Sequence, residues 1–221
     1  MTLREHWHTH ADDWARFART RGHDHGHEAV NLPAFVELLP PPGRATLDVG
    51  CGEGRVGAEL VRLGYDVTGV DSSPRMVELA QERHEAVVAD AAALPFESGA
   101  FDLAVAYMSL MNMDDPEGAV GEIGRVLEPG GRLCIADTHP FDIGELVGGD
   151  YVITGSYLNP AVKVFESDRD GIRMAFRDQP IPLERYSRAF EVAGLALEAL
   201  REPPVPGRNM PRFLHLRAVK L

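Results

Sequence analysis

The chain has 221 residues, of which 44% are hydrophobic and 25% charged, as is typical of a globular protein with a sizeable core. Its formal net charge of -12 repels phosphate backbones and anionic lipid headgroups, which argues against nucleic acid and membrane partners. The start, MTLREHWHTHADDW, lacks the apolar stretch of a signal peptide, and no segment is apolar for the length of a membrane span. We expect a single cytoplasmic domain over residues 1–221, as a monomer or a homodimer.

Short apolar runs alternate with amphipathic stretches between residues 45 and 139. The five predicted strands cover 45–50, 65–71, 85–90, 101–110 and 132–139. The stretches between them carry helical signals, such as the proline at position 74 and the 3.6-residue spacing of Val56, Leu60 and Leu63. Strands that alternate with helices through short connections predict a parallel, doubly wound α/β sheet.

This alternation ends after residue 140. VKVFES and IRMAFRD flank DRDG, which predicts a hairpin insertion within 141–181. A helix around Tyr186 and a sixth strand at 195–202 follow. The last run, RFLHLRAVKL, is reached by too short a loop for a parallel crossover. The predicted fold is a Rossmann-like seven-stranded sheet, mostly parallel with an antiparallel last strand, plus this small insertion.

The glycine-rich loop at 50–57 contains two overlapping patterns. In the register that begins at Gly52, it fits the G-x-G-x-x-G fingerprint of dinucleotide enzymes, but that glycine lies three residues after Val49, the last apolar residue of the strand. In the register that begins at Gly50, it leaves the strand directly as G-x-G-x-G, with Arg55 in the sixth position. An NAD-dependent oxidoreductase therefore stays an alternative, although no Y-x-x-x-K pair occurs in the sequence.

LDVGCGEGR resembles motif I of the class I S-adenosylmethionine-dependent methyltransferases, which is an acid, one residue and G-x-G-x-G. The resemblance continues in order through VTGVDSS, VVADAAALPF, FDLAVAYMSLMNMDD and EIGRVLEPGGRLCIAD, over residues 45–139. It implies S-adenosylmethionine as the cofactor and methyl transfer to a small-molecule acceptor, such as a natural product or a quinone precursor. A non-catalytic protein that binds S-adenosylmethionine is the second alternative.

The resemblance also implies a cofactor site at the carboxyl ends of the strands. Asp71 would accept the ribose hydroxyls, Asp90 would lie at the adenine, and Asp48 would organise the loop and the cofactor's amino group. The alternative for Asp71 and Asp90 is a solvated turn acid. The full predicted cofactor set is Asp48, Gly50, Cys51, Gly52, Asp71, Ser72, Met76, Asp90, Ala91 and Met108.

The acceptor side is less defined by the sequence. His139 follows a buried strand and is a candidate general base, with a hydrogen-bonded structural histidine as the alternative. Residues 1–35 are predicted to form a lid, since Trp7 and Phe17 are poor choices for a solvated tail, and 141–181 a substrate wall. The residues predicted to bind the acceptor are Trp14, Met111, His139 and Tyr157.

Six of the nine histidines lie in HWHTH and HDHGH, and two cysteines occur in the whole chain. Histidines at alternate positions do not share one helical face, so no metal site is predicted, although a loop could bring them together. The cysteines, Cys51 and Cys134, lie in or beside predicted strands. They are too few for a disulfide framework and are expected to be buried thiols.

Overall fold

The computed structural model describes residues 1–148, 150–153 and 155–221. In these ranges the strands are β1 (Thr46–Val49), β2 (Val67–Asp71), β3 (Glu85–Val88), β4 (Phe101–Tyr107), β5 (Leu127–Thr138), β6 (Gly144–Val147), β7 (Asp150–Ile153), β8 (Lys163–Arg169), β9 (Ile172–Asp178), β10 (Leu195–Arg201) and β11 (Phe213–Lys220). The α-helices are α1 (Leu3–Thr9), α2 (Ala11–Arg19), α3 (Leu32–Leu38), α4 (Arg55–Arg62), α5 (Pro74–Ala80), α6 (Pro116–Val126) and α7 (Leu183–Ala193). A π-helix covers His27–Asn31 and a 3-10 helix covers Leu110–Asn112.

Seven strands form the central sheet in the order β10-β11-β5-β4-β1-β2-β3. β11 is antiparallel to both of its neighbours, and the pairs from β5 across to β3 are parallel. The predicted fold, including the antiparallel last strand, is therefore confirmed. The strand order reverses direction between β1 and β4, and ligands of doubly wound sheets bind at such a switch point, beyond the carboxyl ends of the strands.

The two faces of the sheet carry separate hydrophobic clusters. Leu47, Leu110 and Ile123 belong to the first, and Phe35 and Leu60 to the second. Phe35 in α3 is fully buried. The apolar face of α3 packs on the sheet, so the last residues of the predicted lid contribute to the hydrophobic core.

The fourth strand ends three residues earlier than the predicted 110. Met108 has a left-handed φ of +52°, and the chain then turns into the 3-10 helix. The Ser109 hydroxyl donates to the Val49 carbonyl oxygen at 2.7 Å, which ties this turn to the end of β1. Leu110 is fully buried, so its apolar character reflects the core and not a longer strand.

The predicted hairpin is confirmed as β8 and β9, which pair antiparallel. Its turn residues Asp170 and Gly171 both have positive φ, at +52° and +77°. Asp-Gly is favoured where both central residues of a two-residue turn need positive φ. A second antiparallel pair, β6 with β7, lies earlier in the insertion and was not predicted.

The first 20 residues are helical. Thr2 and Glu5 form a capping box at the start of α1, the Thr-x-x-Glu pattern that marks a helix N-terminus. α2 packs against α5 and β9, so it bridges the sheet and the insertion. None of the described helices is long and apolar enough to cross a membrane.

Candidate functional site

A cavity of about 320 Å³ lies at the carboxyl ends of β1, β2 and β4, beneath the N-terminal helices and the β8–β9 hairpin. This volume is at the lower end of the range for small-molecule sites. All ten residues of the predicted cofactor set line it. The structure therefore brings this set together at the switch point, and their binding role remains a prediction.

The glycines of the loop serve different purposes. A Cβ at Gly50 would lie 2.5 Å from the Cβ of Ser109, so the packing of the loop excludes a side chain there. Gly52 has a φ of +55°, and its Cβ would meet a single neighbour, the Trp14 Nε1 at 3.7 Å. Position 52 therefore opens towards the cavity, with a backbone conformation that favours glycine.

Asp71 ends β2 and holds the loop through its carboxylate. Oδ2 accepts the Gly52 N–H at 3.0 Å, and Oδ1 accepts the Ser73 N–H at 2.9 Å. Burial raises the pKa of this carboxyl, and the two N–H donors oppose that shift. Each oxygen retains a further lone pair, so the carboxylate can still accept hydroxyl groups from a ligand.

Asp48 and Glu53 place two more carboxyl groups in the same wall. Asp48 is 1% exposed and its Oδ2 has no hydrogen-bond partner; burial, reinforced by Asp71 and Glu53, raises its pKa to about 7. Glu53 is equally buried; its Oε2 accepts the Trp14 Nε1–H at 3.1 Å, and its Oε1 has no partner. Both residues line the cavity, so a ligand that supplies hydrogen-bond donors or positive charge could satisfy these two atoms.

Comparison with known proteins fits this geometry. Residues 47–135 match the family model described as a methyltransferase domain. This part of the chain is therefore similar to a methyltransferase domain. The S-adenosylmethionine-dependent methyltransferase of Mesorhizobium loti has the same fold, with a TM-score of 0.67 and 22% sequence identity over 85% of this chain and 96% of that one.

Curated relatives are similar over part of their length. An O-methyltransferase of Pyrenophora dematioidea is 38% identical over 120 residues, which cover 50% of this chain and 45% of that protein. A demethylmenaquinone methyltransferase of Beutenbergia cavernae is 34% identical over 147 residues, which cover 63% of this chain and 60% of that protein. The chain thus spans about half the length of these curated relatives.

The N-terminal helices contact residues of the candidate site. Asp90 accepts the Ala92 N–H at 3.0 Å and also pairs with the Arg4 guanidinium, and the two donors hold the pKa of its carboxyl below the usual range. The His8 Nε2 lies 3.2 Å from the Ser72 hydroxyl oxygen. Two residues of the predicted cofactor set are therefore in contact with α1.

Arg55 and His27 were given no site role by the sequence. The Arg55 guanidinium lies 4.7 Å from the centre of the Trp14 ring and donates to the Asp24 carboxylate at 2.8 Å. The His27 Nδ1 lies 2.9 Å from the Tyr107 hydroxyl oxygen. Burial and Arg55 lower the pKa of His27 to about 4, so this imidazole is neutral near pH 7.

The four residues predicted to bind the acceptor separate into two pairs. Trp14 and Met111 line the cavity, whereas His139 and Tyr157 lie outside its wall. The His139 Nδ1 accepts the Phe141 N–H at 3.1 Å, and its Nε2 lies 3.0 Å from Glu202 Oε1. The placement of His139 thus agrees with its structural alternative and not with a catalytic base.

Tyr157 is also engaged away from the cavity. Its hydroxyl oxygen accepts the Leu183 N–H at 3.1 Å, and its ring lies 5.1 Å from that of Phe141. The insertion turns this side chain towards α7 because the loop before β8 packs there. The structure therefore does not support the predicted contact of Tyr157 with an acceptor.

Aromatic side chains from the N-terminal helices and from the β8–β9 hairpin meet above the cavity. The Phe176 ring centre lies 6.1 Å from that of Trp14, 5.5 Å from that of Phe17 and 4.7 Å from that of Phe165. All four residues line the cavity, as does Trp7. The predicted lid and the predicted wall are thus in direct contact.

Histidines contribute to this contact through the backbone of the hairpin. The His6 Nε2 lies 3.0 Å from the Ala175 carbonyl oxygen, and the His23 Nε2 lies 3.0 Å from that of Arg169. In the ranges that the structure describes, no group of three or more His, Cys, Asp or Glu side chains is placed to hold a metal ion. These two histidines therefore connect the predicted lid to β8 and β9.

Proposed function

We propose that this protein transfers the methyl group of S-adenosylmethionine to a small-molecule acceptor. The observation that carries this proposal is the pair of unpartnered, buried carboxyl oxygens of Asp48 and Glu53 beside the open face of Gly52. S-adenosylmethionine carries a positive sulfonium and a positive ammonium group against one carboxylate, and its net positive charge complements these carboxyls. NAD would bring two negative phosphates to the same wall, where they would be repelled.

The residues present fit the parts of this cofactor. Asp71 retains lone pairs for the ribose hydroxyls, Asp90 lies at the next strand end for the adenine, and Asp48 faces the loop for the amino group. The cofactor supplies a methyl carbon that is already activated for displacement. The chain orients the reactants, and the aromatic side chains above the cavity exclude water.

The acceptor that this cavity favours is a small molecule with an aromatic or quinone ring. Trp14, Phe176 and Met111 offer apolar, polarisable surface on its outer side. The net charge of -12 disfavours a nucleic acid acceptor. Relatives named O-methyltransferase and demethylmenaquinone methyltransferase add support for a ring-bearing acceptor.

Calorimetric titration with S-adenosylmethionine, its demethylated product and NAD tests this proposal. We expect both methionine-derived ligands to bind and NAD to give no binding heat. Binding of NAD alone would favour the oxidoreductase alternative. Tight binding of S-adenosylmethionine with no product from phenols, hydroxyquinones or amines would favour the non-catalytic one.

We further propose that residues 1–19 act as a lid over the bound cofactor. Arg4 and His8 contact the predicted cofactor residues, and neither large core cluster contains a residue of this segment. A chain that starts at Thr20 should therefore still unfold cooperatively.

The truncated chain should release the demethylated product at least about ten times faster than the full chain, because a lid retains the ligand. Stopped-flow displacement measures this rate. As a control, Arg16→Ala changes an exposed residue of α2 and should leave the rate unchanged. Equal release rates for the truncated and the full chain would contradict the lid.

A further inference from the structure

One face of the β8–β9 hairpin forms the outer wall of the cavity. Strand alternation places every second side chain on this face, and β8 and β9 pair Lys163 with Asp178 and Phe165 with Phe176. The side chains of the hairpin face that line the cavity are Lys163, Phe165, Ser167, Arg169, Phe176 and Asp178. Among them Asp178 is the one carboxylate.

Asp178 is buried without a full set of partners. It is 5% exposed, and its Oδ2 has no hydrogen-bond partner. Lys163 lies opposite in the strand register, but its Nζ donates to the Asp142 carbonyl oxygen at 2.7 Å. The carboxyl of Asp178 thus presents a free acceptor atom at the cavity wall.

Asp178 also lies beside the end of β4. The next residue, Gln179, donates its N–H to the Met111 carbonyl oxygen at 2.9 Å. Met111 belongs to the 3-10 helix that follows β4, at the switch point of the sheet. The hydrogen bond therefore brings Asp178 to the part of the cavity where β4 and the hairpin wall meet.

The charged groups around Asp178 suit a proton acceptor near neutral pH. Burial raises the pKa of its carboxyl to about 6; Lys163 on β8 lowers the pKa, and Asp142 in the turn after β5 raises it. On β5, Asp137 also faces it, and burial raises the pKa of Asp137 to about 7. A general base is most effective when its pKa lies close to the working pH.

Of the other carboxylates and histidines that line the described cavity, Asp48 and Glu53 are assigned to the cofactor, and those closest to the hairpin wall are already engaged. The Nδ1 of His27 is occupied by the Tyr107 hydroxyl, and Asp24 is paired with Arg55. The carboxylate of Asp142 is paired with Arg208. Asp178 is the base of this wall whose acceptor atom is available.

We propose that Asp178 is the general base for an acceptor whose nucleophile is a hydroxyl group on an aromatic or quinone ring. This proposal rests on the proposed methyl transfer. The acceptor oxygen gives its proton to Asp178 Oδ2 and forms a bond to the methyl carbon, while the carbon–sulfur bond breaks and its electron pair stays on sulfur. Phe176 lies two residues earlier on the same face, about 7 Å along the strand, where its ring can stack on that of the acceptor.

Two probe acceptors and three variants test this role. Catechol keeps its hydroxyl protons at neutral pH, whereas 2-hydroxy-1,4-naphthoquinone is already ionised and needs no base. Asp178→Asn should lower kcat for catechol about 100-fold or more, with a smaller change in KM, and should lower kcat for the naphthoquinone less than about fivefold. Asp178→Glu should restore part of the catechol activity.

The matched control is Glu166→Gln, which removes one negative charge from an exposed position on β8 and should change neither rate. The wild-type rate with catechol should rise with pH through about 6, because Asp178 must be ionised to accept a proton, and Asp178→Asn should lack this rise. Carboxyl ¹³C NMR gives a second readout without turnover. The signal that Asp178→Asn removes should titrate near pH 6 and shift when catechol is added with the demethylated product.

Equal losses for both probes in Asp178→Asn, or no loss, would overturn the role of Asp178. Methylation of neither probe by the wild type would overturn the substrate class. Calorimetry with S-adenosylmethionine separates these failures from that of the proposed function. If the cofactor binds to the wild type and to Asp178→Asn alike, the fault lies in the acceptor proposal alone.

Discussion

Replacement of Gly52 with valine is expected to weaken binding of S-adenosylmethionine by at least about 1000-fold, or roughly 4 kcal/mol, and to leave the sheet folded. The Cβ at this position points into open cavity, towards the space proposed for the amino-acid end of the cofactor. The backbone φ of +55° adds strain for a β-branched residue, but neither main core cluster includes Gly52. Steric exclusion is therefore the dominant effect.

Gly207→Val is the matched control for this variant. Gly207 has a φ of +77° and no heavy atom within 4 Å of its Cβ position, so it imposes similar backbone strain in open space. We expect its cofactor affinity to equal that of the wild type. Calorimetry and thermal unfolding of both variants separate exclusion from destabilisation. A Gly52→Val variant that binds within tenfold of the wild type would place the cofactor elsewhere.

Asp71→Ala is expected to weaken cofactor binding by about 2–4 kcal/mol, because two charge-assisted hydrogen bonds to the ribose are lost. The same change frees the N–H groups of Gly52 and Ser73, which the carboxylate holds in the structure. Asp71→Asn separates these effects, since the amide keeps one oxygen acceptor for the loop. Its affinity should lie between those of the wild type and the alanine variant.

Asp66→Ala provides the control for this pair. Asp66 is an exposed acid just before β2, so it precedes the same strand that Asp71 ends. Its replacement should leave the dissociation constant unchanged. If Asp71→Ala binds S-adenosylmethionine as tightly as Asp66→Ala does, Asp71 has no part in the site.

The sheet and the cofactor wall could be predicted because their signals are local. Gly50, Gly52 and Asp71 are recognisable from their positions directly after apolar strands, and parallel strands bring such ends to one edge. The direction of His139 depends instead on a distant segment, since its N–H bonds to the Arg212 carbonyl oxygen at 2.8 Å. A position after a strand does not determine on which side of the sheet the ring packs.

Glu53 and Asp178 are among the residues of the candidate site that escaped prediction, for a related reason. Glu53 reads as a loop acid between glycines, and its importance comes from burial beneath Trp14, which lies 39 residues earlier. Asp178 reads as the polar end of a hairpin strand, and it reaches the cavity because the insertion folds back on Met111. Unpartnered buried atoms are properties of tertiary packing. For Glu53, the local sequence showed only an acid between two glycines, and for Asp178 it gave no sign of a buried carboxylate.

The contact of Phe176 with Trp14 and Phe17 has a consequence for how acceptor preference can change during evolution. The predicted cofactor residues lie between positions 48 and 108, whereas the proposed acceptor walls come from the N-terminal helices and the insertion, which meet at this ring. A substitution in one wall alters the packing of the other, and at Trp14 it also removes the hydrogen bond to Glu53 in the glycine loop. We expect the two segments to diversify together among related chains, with Phe176 and Phe17 changing as a covarying pair, and Trp14, which is tied to Glu53, changing less.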